Sequence, residues 1–187
     1  MLEAMKRVLA IVRFFALALA LAAGFAVGPV AAADARLDRL FERLIATQDP
    51  ADAKNIERSI WQIWLDPKDS STQSLLDLAL VAEQRGDQLG AFALFDAIVT
   101  LKPDYAEGWN QRGFARFLMG AHEGALGDLD RALALDPRHV PALSGKALVL
   151  MHLGRHEEAQ LVLREAVRMN PWLAERSLLT IPMDVEL

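Results

Sequence analysis

The sequence predicts an all-α protein whose helix pairs pile up as a right-handed superhelical solenoid, and three observations predict it. Gly86, Gly120 and Gly154 are separated by 34 residues each time, Ala91, Ala125 and Ala159 keep the same interval, and so do Pro103, Pro137 and Pro171. Between these marks apolar side chains recur at three- and four-residue spacing, the period of a helix with one buried face. No insertion breaks the interval, which defines three units: 72–105, 106–139 and 140–173.

Residues 1–33 place Lys6, Arg7 and Arg13 before the apolar run 14–27 and end in Ala31, Ala32 and Ala33, ahead of Asp34. That is the three-part layout of a secretory signal peptide, and it predicts export across a bacterial inner membrane to the periplasm, with cleavage after Ala33. The alternative is a retained anchor over residues 8–30, which Arg13 interrupts. The uninterrupted stretch is shorter than the roughly 20 apolar residues a bilayer span requires. Under both readings the positive charges stay cytoplasmic and the remainder faces the periplasm.

Residues 34–71 read as a worn fourth helix pair at the N-terminal end. Leu37, Leu40, Phe41 and Leu44 form one helical stripe, and Ile56, Ile60, Ile63 and Trp64 form another. Asp49 followed by Pro50 is an N-cap with proline at the first helical position. Ala53 precedes Ala91 by 38 residues, so this pair carries four extra residues around 66–69. The expectation is a divergent terminal repeat that stacks ahead of the first clear unit, with Trp61 and Trp64 serving as core or as an exposed aromatic anchor.

In the middle unit the pattern predicts helix A over 106–119 and helix B over 123–135. Gly120 ends the first because it takes the left-handed conformation without steric cost, and Pro137 closes the second because a proline cannot continue a helix from within. Ala79, Gly113 and Ala147 in the A helices face Ala91, Ala125 and Ala159 in the B helices, a pairing of small residues that lets the two backbones approach. Phe95, Leu129 and Leu163 then fill the groove beside each contact. Beyond the third unit, 174–187 reads as a short cap helix and a tail, with Trp172 capping the core. The C-terminal face over 161–179 is expected to be poorly capped, which makes it the candidate surface for a homo-oligomer.

Composition narrows the function. The chain carries a net charge of −5; without residues 1–33 it keeps 17 basic and 24 acidic side chains, a net charge of −7. Such a body is repelled by phosphate backbones, so nucleic acid is not the expected partner. The chain has no cysteine, which removes disulfides, thiol catalysis and thiolate metal sites. His152 and His156 stand four apart, yet Gly154 puts them on different helices and removes the alignment two metal ligands on one helix need. No phosphate-binding glycine loop, nucleophile elbow or zinc-protease motif occurs. No catalytic residue, cofactor or metal is therefore expected.

The 34-residue period, with Trp109, Gly113, Ala125, Leu129, Ala132 and Pro137 at the characteristic places of the middle unit, resembles the tetratricopeptide repeat (TPR). The units depart from the family at their eleventh position, where Ala82, Arg116 and Leu150 replace the frequent tyrosine. The strings Glu107-Gly108-Trp109-Asn110 and Pro137-Arg138-His139 are also similar to exported bacterial TPR proteins. The resemblance implies a concave groove lined by the A helices that binds a partner peptide or helix.

In that register the candidate groove residues are Gln73 in the first unit and Glu107, Asn110, Phe114 and Phe117 in the second. Ser144, Leu148, Met151 and His152 supply the third. Exposed apolar residues in a concavity suit a peptide or partner helix, although Phe114 and Leu148 could equally complete packing between repeats. The basic clamp by which some members of the family hold a C-terminal carboxylate is missing, because its places hold Leu76, Leu80, Gln111, Pro141 and Gly145. Arg112 and Asp128 are expected to form a structural salt bridge inside the hairpin, and Trp109 to be a packing residue.

Overall fold

The computed structural model describes residues 35–180, and all of its regular elements are helical. The signal-peptide assignment to 1–33 and the tail beyond 180 lie outside the described residues. In chain order the helices are α1 (Ala35–Ala46), α2 (Pro50–Trp64), α3 (Ser70–Gln84), α4 (Gln88–Leu101), α5 (Ala106–Leu118), α6 (His122–Leu135), α7 (Val140–His152) and α8 (His156–Met169). A 3₁₀ turn, Ala174–Leu178, follows.

Helices α3–α4, α5–α6 and α7–α8 are the three repeats, and each hairpin turns in the same way. Gly86, Gly120 and Gly154 have φ of +75°, +76° and +73°, which a side chain would strain. In the middle repeat Gly120 N–H donates to Phe117 O and Ala121 N–H to Arg116 O, both at 2.9 Å, so the last carbonyls of α5 are satisfied by a Schellman motif. The same two bonds recur at Gly86–Asp87 and at Gly154–Arg155.

The small residues meet as the pattern requires. Ala79, Ala91, Ala125, Ala147 and Ala159 are each no more than 1% exposed. A Cβ on Gly113 would stand 3.3 Å from the Ala125 carbonyl and 3.1 Å from Leu129 Cγ, so the backbones of α5 and α6 touch where a larger residue would hold them apart. Phe95, Leu129 and Leu163 are buried beside these contacts.

The N-terminal pair forms as two helices, and Asp49 caps α2 through a 3.0 Å bond from Ala51 N–H, but it does not stack ahead of the first repeat. Leu37, Phe41, Leu44, Ile56, Ile60 and Trp64 share one core with Val140 and Leu143 of α7 and Ala166 of α8. Helix α2 then crosses the loops that join successive repeats. Glu57 accepts from Asn170 Nδ2 at 2.7 Å, the Trp64 ring lies 4.4 Å from the His139 ring, and the Trp64 carbonyl accepts from Tyr105 Oη at 2.7 Å. Trp64 Nε1 also donates to Asp136, and Arg138 pairs with Asp38 of α1. The extra residues 66–69 make the turn that permits this: Lys68 takes φ +66°, its N–H and Nζ are both held by Asp66, and Asp69 caps α3 at Thr72 N–H.

This placement corrects two expectations. A core shared with the third repeat is available to α1–α2 only because the chain doubles back, which leaves Leu78 and Val81 on α3 exposed where a preceding repeat was anticipated. The C-terminal face, expected to be poorly capped, is covered in part by the chain itself: Leu163 and Val167 pack with Leu173 and Leu179, and Gln160 bonds to Leu178 O and Thr180 N–H, while Leu161 stays 54% exposed. Trp172 does not cap this end, being 36% exposed.

Candidate functional site

Where α2 passes the A helices it leaves a cleft of about 250 Å³. Its floor is Pro141, Ser144, Gly145 and Leu148 of α7 with Phe114 of α5, and its opposite wall is Ile60, Trp61 and Trp64. Glu57, Asn170 and Glu175 also line it. A second hollow of about 220 Å³ shares Trp61, Phe114, Pro141, Gly145 and Leu148 and extends to Asn110, Gln111 and Phe117. The two run on from each other along the groove.

The anticipated groove residues divide into three groups. Phe114, Phe117, Leu148, Asn110 and Ser144 are brought together around the two hollows. Phe114 remains 46% exposed, whereas Asn110 and Ser144 are only 6% and 5% exposed and sit deep in the floor. The Ser144 hydroxyl has no hydrogen-bond partner among the described residues. Glu107 is not on the groove surface. It is 1% exposed, accepts from Asn110 Nδ2 and Gln111 Nε2, and its Oε2 stands 3.0 Å from His139 Nε2 without the alignment of a hydrogen bond. Because His139 Nδ1 accepts the Ala142 N–H, the ring proton belongs on the Nε2 that faces this carboxylate. A buried acid at the second residue of a helix is favoured by the dipole, which is why the chain can keep Glu107 there.

The third group lies away from the cleft. Gln73 bonds to Asp77 on its own helix, Met151 packs with the core of the second and third repeats, and His152 meets the Phe117 ring edge to face at 4.8 Å and points Nδ1 at Leu148 O. His156 begins α8, and among the described residues no cluster of three or more acidic, histidine or cysteine side chains could hold a metal ion. Further along the A-helix side, burial and the nearby Glu107 raise the Glu83 carboxyl above the usual range.

Arg112 grips Asp128 with Nε at 2.9 Å and Nη2 at 2.7 Å, and also reaches Asp96 of the preceding repeat at 2.6 Å. The pair expected inside one hairpin is thus also a tie between hairpins, and Arg116 joins it at Asp128. These bonds hold the Arg112 guanidinium charged, with Asp128 as the main cause. Trp109 is half-buried, donates to Pro103 O at 3.0 Å and lies 4.7 Å under the Arg112 guanidinium, so it packs as its place in the repeat requires. Sequence reasoning gave Trp61 no fixed role and passed over Glu57 and Glu175; a Glu57-Ile60-Trp61-Trp64 stripe at helical spacing was the available signal.

With hairpins and groove in view, comparison with known proteins agrees with the repeats: the tetratricopeptide repeat model matches residues 116–171. A TPR repeat-containing protein of Rhizobium etli is 35% identical over 122 residues, 65% of this chain and 60% of the relative. Residues 116–171 of this chain are tetratricopeptide repeats. Tetratricopeptide repeat protein 36 of Bos taurus is 36% identical over 107 residues, 55% of this chain and 57% of that protein. The match therefore spans 60% and 57% of the length of these two relatives. Among solved structures, the first TPR domain of Spaghetti, bound to an HSP90 peptide, superposes with a TM-score of 0.57 at 20% identity, over 59% of this chain and 88% of that one. At that identity the likeness is one of fold.

Proposed function

We propose that this TPR protein is a non-enzymatic interaction scaffold of the bacterial periplasm that holds a segment of a partner protein in the groove between α2 and the A helices. The observation that carries the reading is the double hollow itself. Trp61 and Phe114 stand exposed across an apolar floor, with a few polar groups, Ser144, Asn110, Gln111, Asn170, Glu57 and Glu175, around it, the composition of a surface that binds a chain segment. A fold neighbour solved with a peptide supports it, as do the repeats of the relatives. The proposed location rests on the signal-like residues 1–33.

A photo-crosslinking residue at Phe114, compared with one at the exposed Leu89 on α4, tests the reading in growing cells. One discrete adduct, formed from position 114 alone and recovered in the periplasmic fraction, is the expected result. Equal adducts from both positions would remove the groove from the proposal, and a cytoplasmic product would remove the location.

A further inference from the structure

We propose that the partner segment is cationic as well as apolar: a peptide stretch carrying Lys or Arg next to a bulky apolar side chain, lodged between Trp61 and Phe114. This deepens the groove reading and rests on it. The residues lining the two hollows include no Lys or Arg and two carboxylates, Glu57 and Glu175. Glu57 accepts the Asn170 amide, a neutral donor that leaves its charge uncompensated. Arg112 and Arg116 are committed to Asp128, Lys146 to Asp130, and Arg138 to Asp38 and Asp136, while Arg58 and Arg176, next in sequence to the two carboxylates, donate to Asn55 and to Pro171 O.

Two carboxylates in the lining of an apolar cleft attract a cation more strongly than the same pair on open surface, because low-dielectric walls focus the field. Trp61 and Phe114, 37% and 46% exposed, offer ring surface on which a guanidinium or ammonium rests while its neighbour's apolar side chain fills the floor. The unpartnered Ser144 hydroxyl, buried in that floor, is a polar group that a peptide backbone would satisfy. An acidic segment would meet Glu57 and Glu175 with no cation to receive it.

Three short peptides of one apolar sequence, bearing Lys and Arg, Gln, or Glu at the variable places, test this by fluorescence polarisation on the purified full chain. The basic peptide is expected to bind about tenfold tighter than the acidic one at low salt, and the gap to close in the Glu57→Gln/Glu175→Gln variant and with added salt. Gln keeps the Glu57 acceptor for Asn170, so that variant retains the fold. An acidic peptide that binds equally or better, or a basic preference that survives the double variant, overturns the inference. If the three peptides bind the native chain equally and Phe114→Ala weakens all of them, the groove reading stands without the charge preference. If Phe114→Ala changes none of them, or none binds at millimolar concentration, both fall.

Discussion

In the repeats, each buried residue meets a partner in its own hairpin or the adjoining one: Ala125 against Gly113, Arg112 against Asp128 and Asp96, Leu76 and Phe95 within one cluster. Helices α1 and α2 obey no such neighbour rule. Trp64 bonds to Asp136, packs its ring on His139 and receives Tyr105, contacts that are 41 to 75 residues away in sequence. The repeats are therefore a nearly one-dimensional object, with stability spread over similar interfaces. The N-terminal pair is instead fastened at a few large contacts, and it turns an open concave face into a two-walled cleft.

The largest expected effect tests that fastening. Trp64→Ala removes the ring packed on Phe41 and His139 and orphans the Asp136 bond, and should cost about 3–5 kcal/mol in denaturant unfolding. Because the core of α1–α2 includes Val140, Leu143 and Ala166, the loss is expected in one transition shared with the third repeat. Amide exchange that loosens α1–α2 alone would show instead that the pair is a separate cooperative unit.

Ala125→Leu probes the neighbour rule. The site is fully buried against Gly113, so the added volume must part α5 from α6, costing about 1–3 kcal/mol, read as a lowered Tm. An unshifted Tm would contradict the close approach on which every repeat depends.

Tyr105, the single tyrosine, sits where the two regions join and gives the finest reading. Burial first, then Glu107, Asp66 and Asp69, push its phenol far above the ordinary value. An acid whose folded pKa is raised leaves stability unaffected below its unfolded pKa and lowers it above: past about pH 10, folding should weaken by up to ~1.4 kcal/mol per pH unit. Ultraviolet titration should show no phenolate until the chain unfolds. Ionisation near pH 10 in the folded protein would mean that the seam at Trp64 O is open to water.

The repeat architecture was legible because its marks are local: a glycine needing positive φ, a small pair, and a proline beyond each B helix act within one hairpin wherever that hairpin stands. Phe114, Phe117 and Leu148 were legible as groove residues for the same reason, since their place in the repeat sets their face. Glu107 was misplaced because position in a repeat does not reveal that His139 and Asn110 close over it. Trp61, Glu57 and Glu175 had no fixed role because their importance comes from what they face across the cleft.

Periodicity alone was enough to dictate helices, turns and the stacking of like units, because those follow from contacts between residues less than one repeat apart. Where α1 and α2 would dock was settled only in three dimensions. An apolar stripe demands burial but names no partner, since the hydrophobic effect has no direction; the choice fell to shape and to a few long-range polar contacts, Trp64 with Asp136, Tyr105 with Trp64 and Glu57 with Asn170.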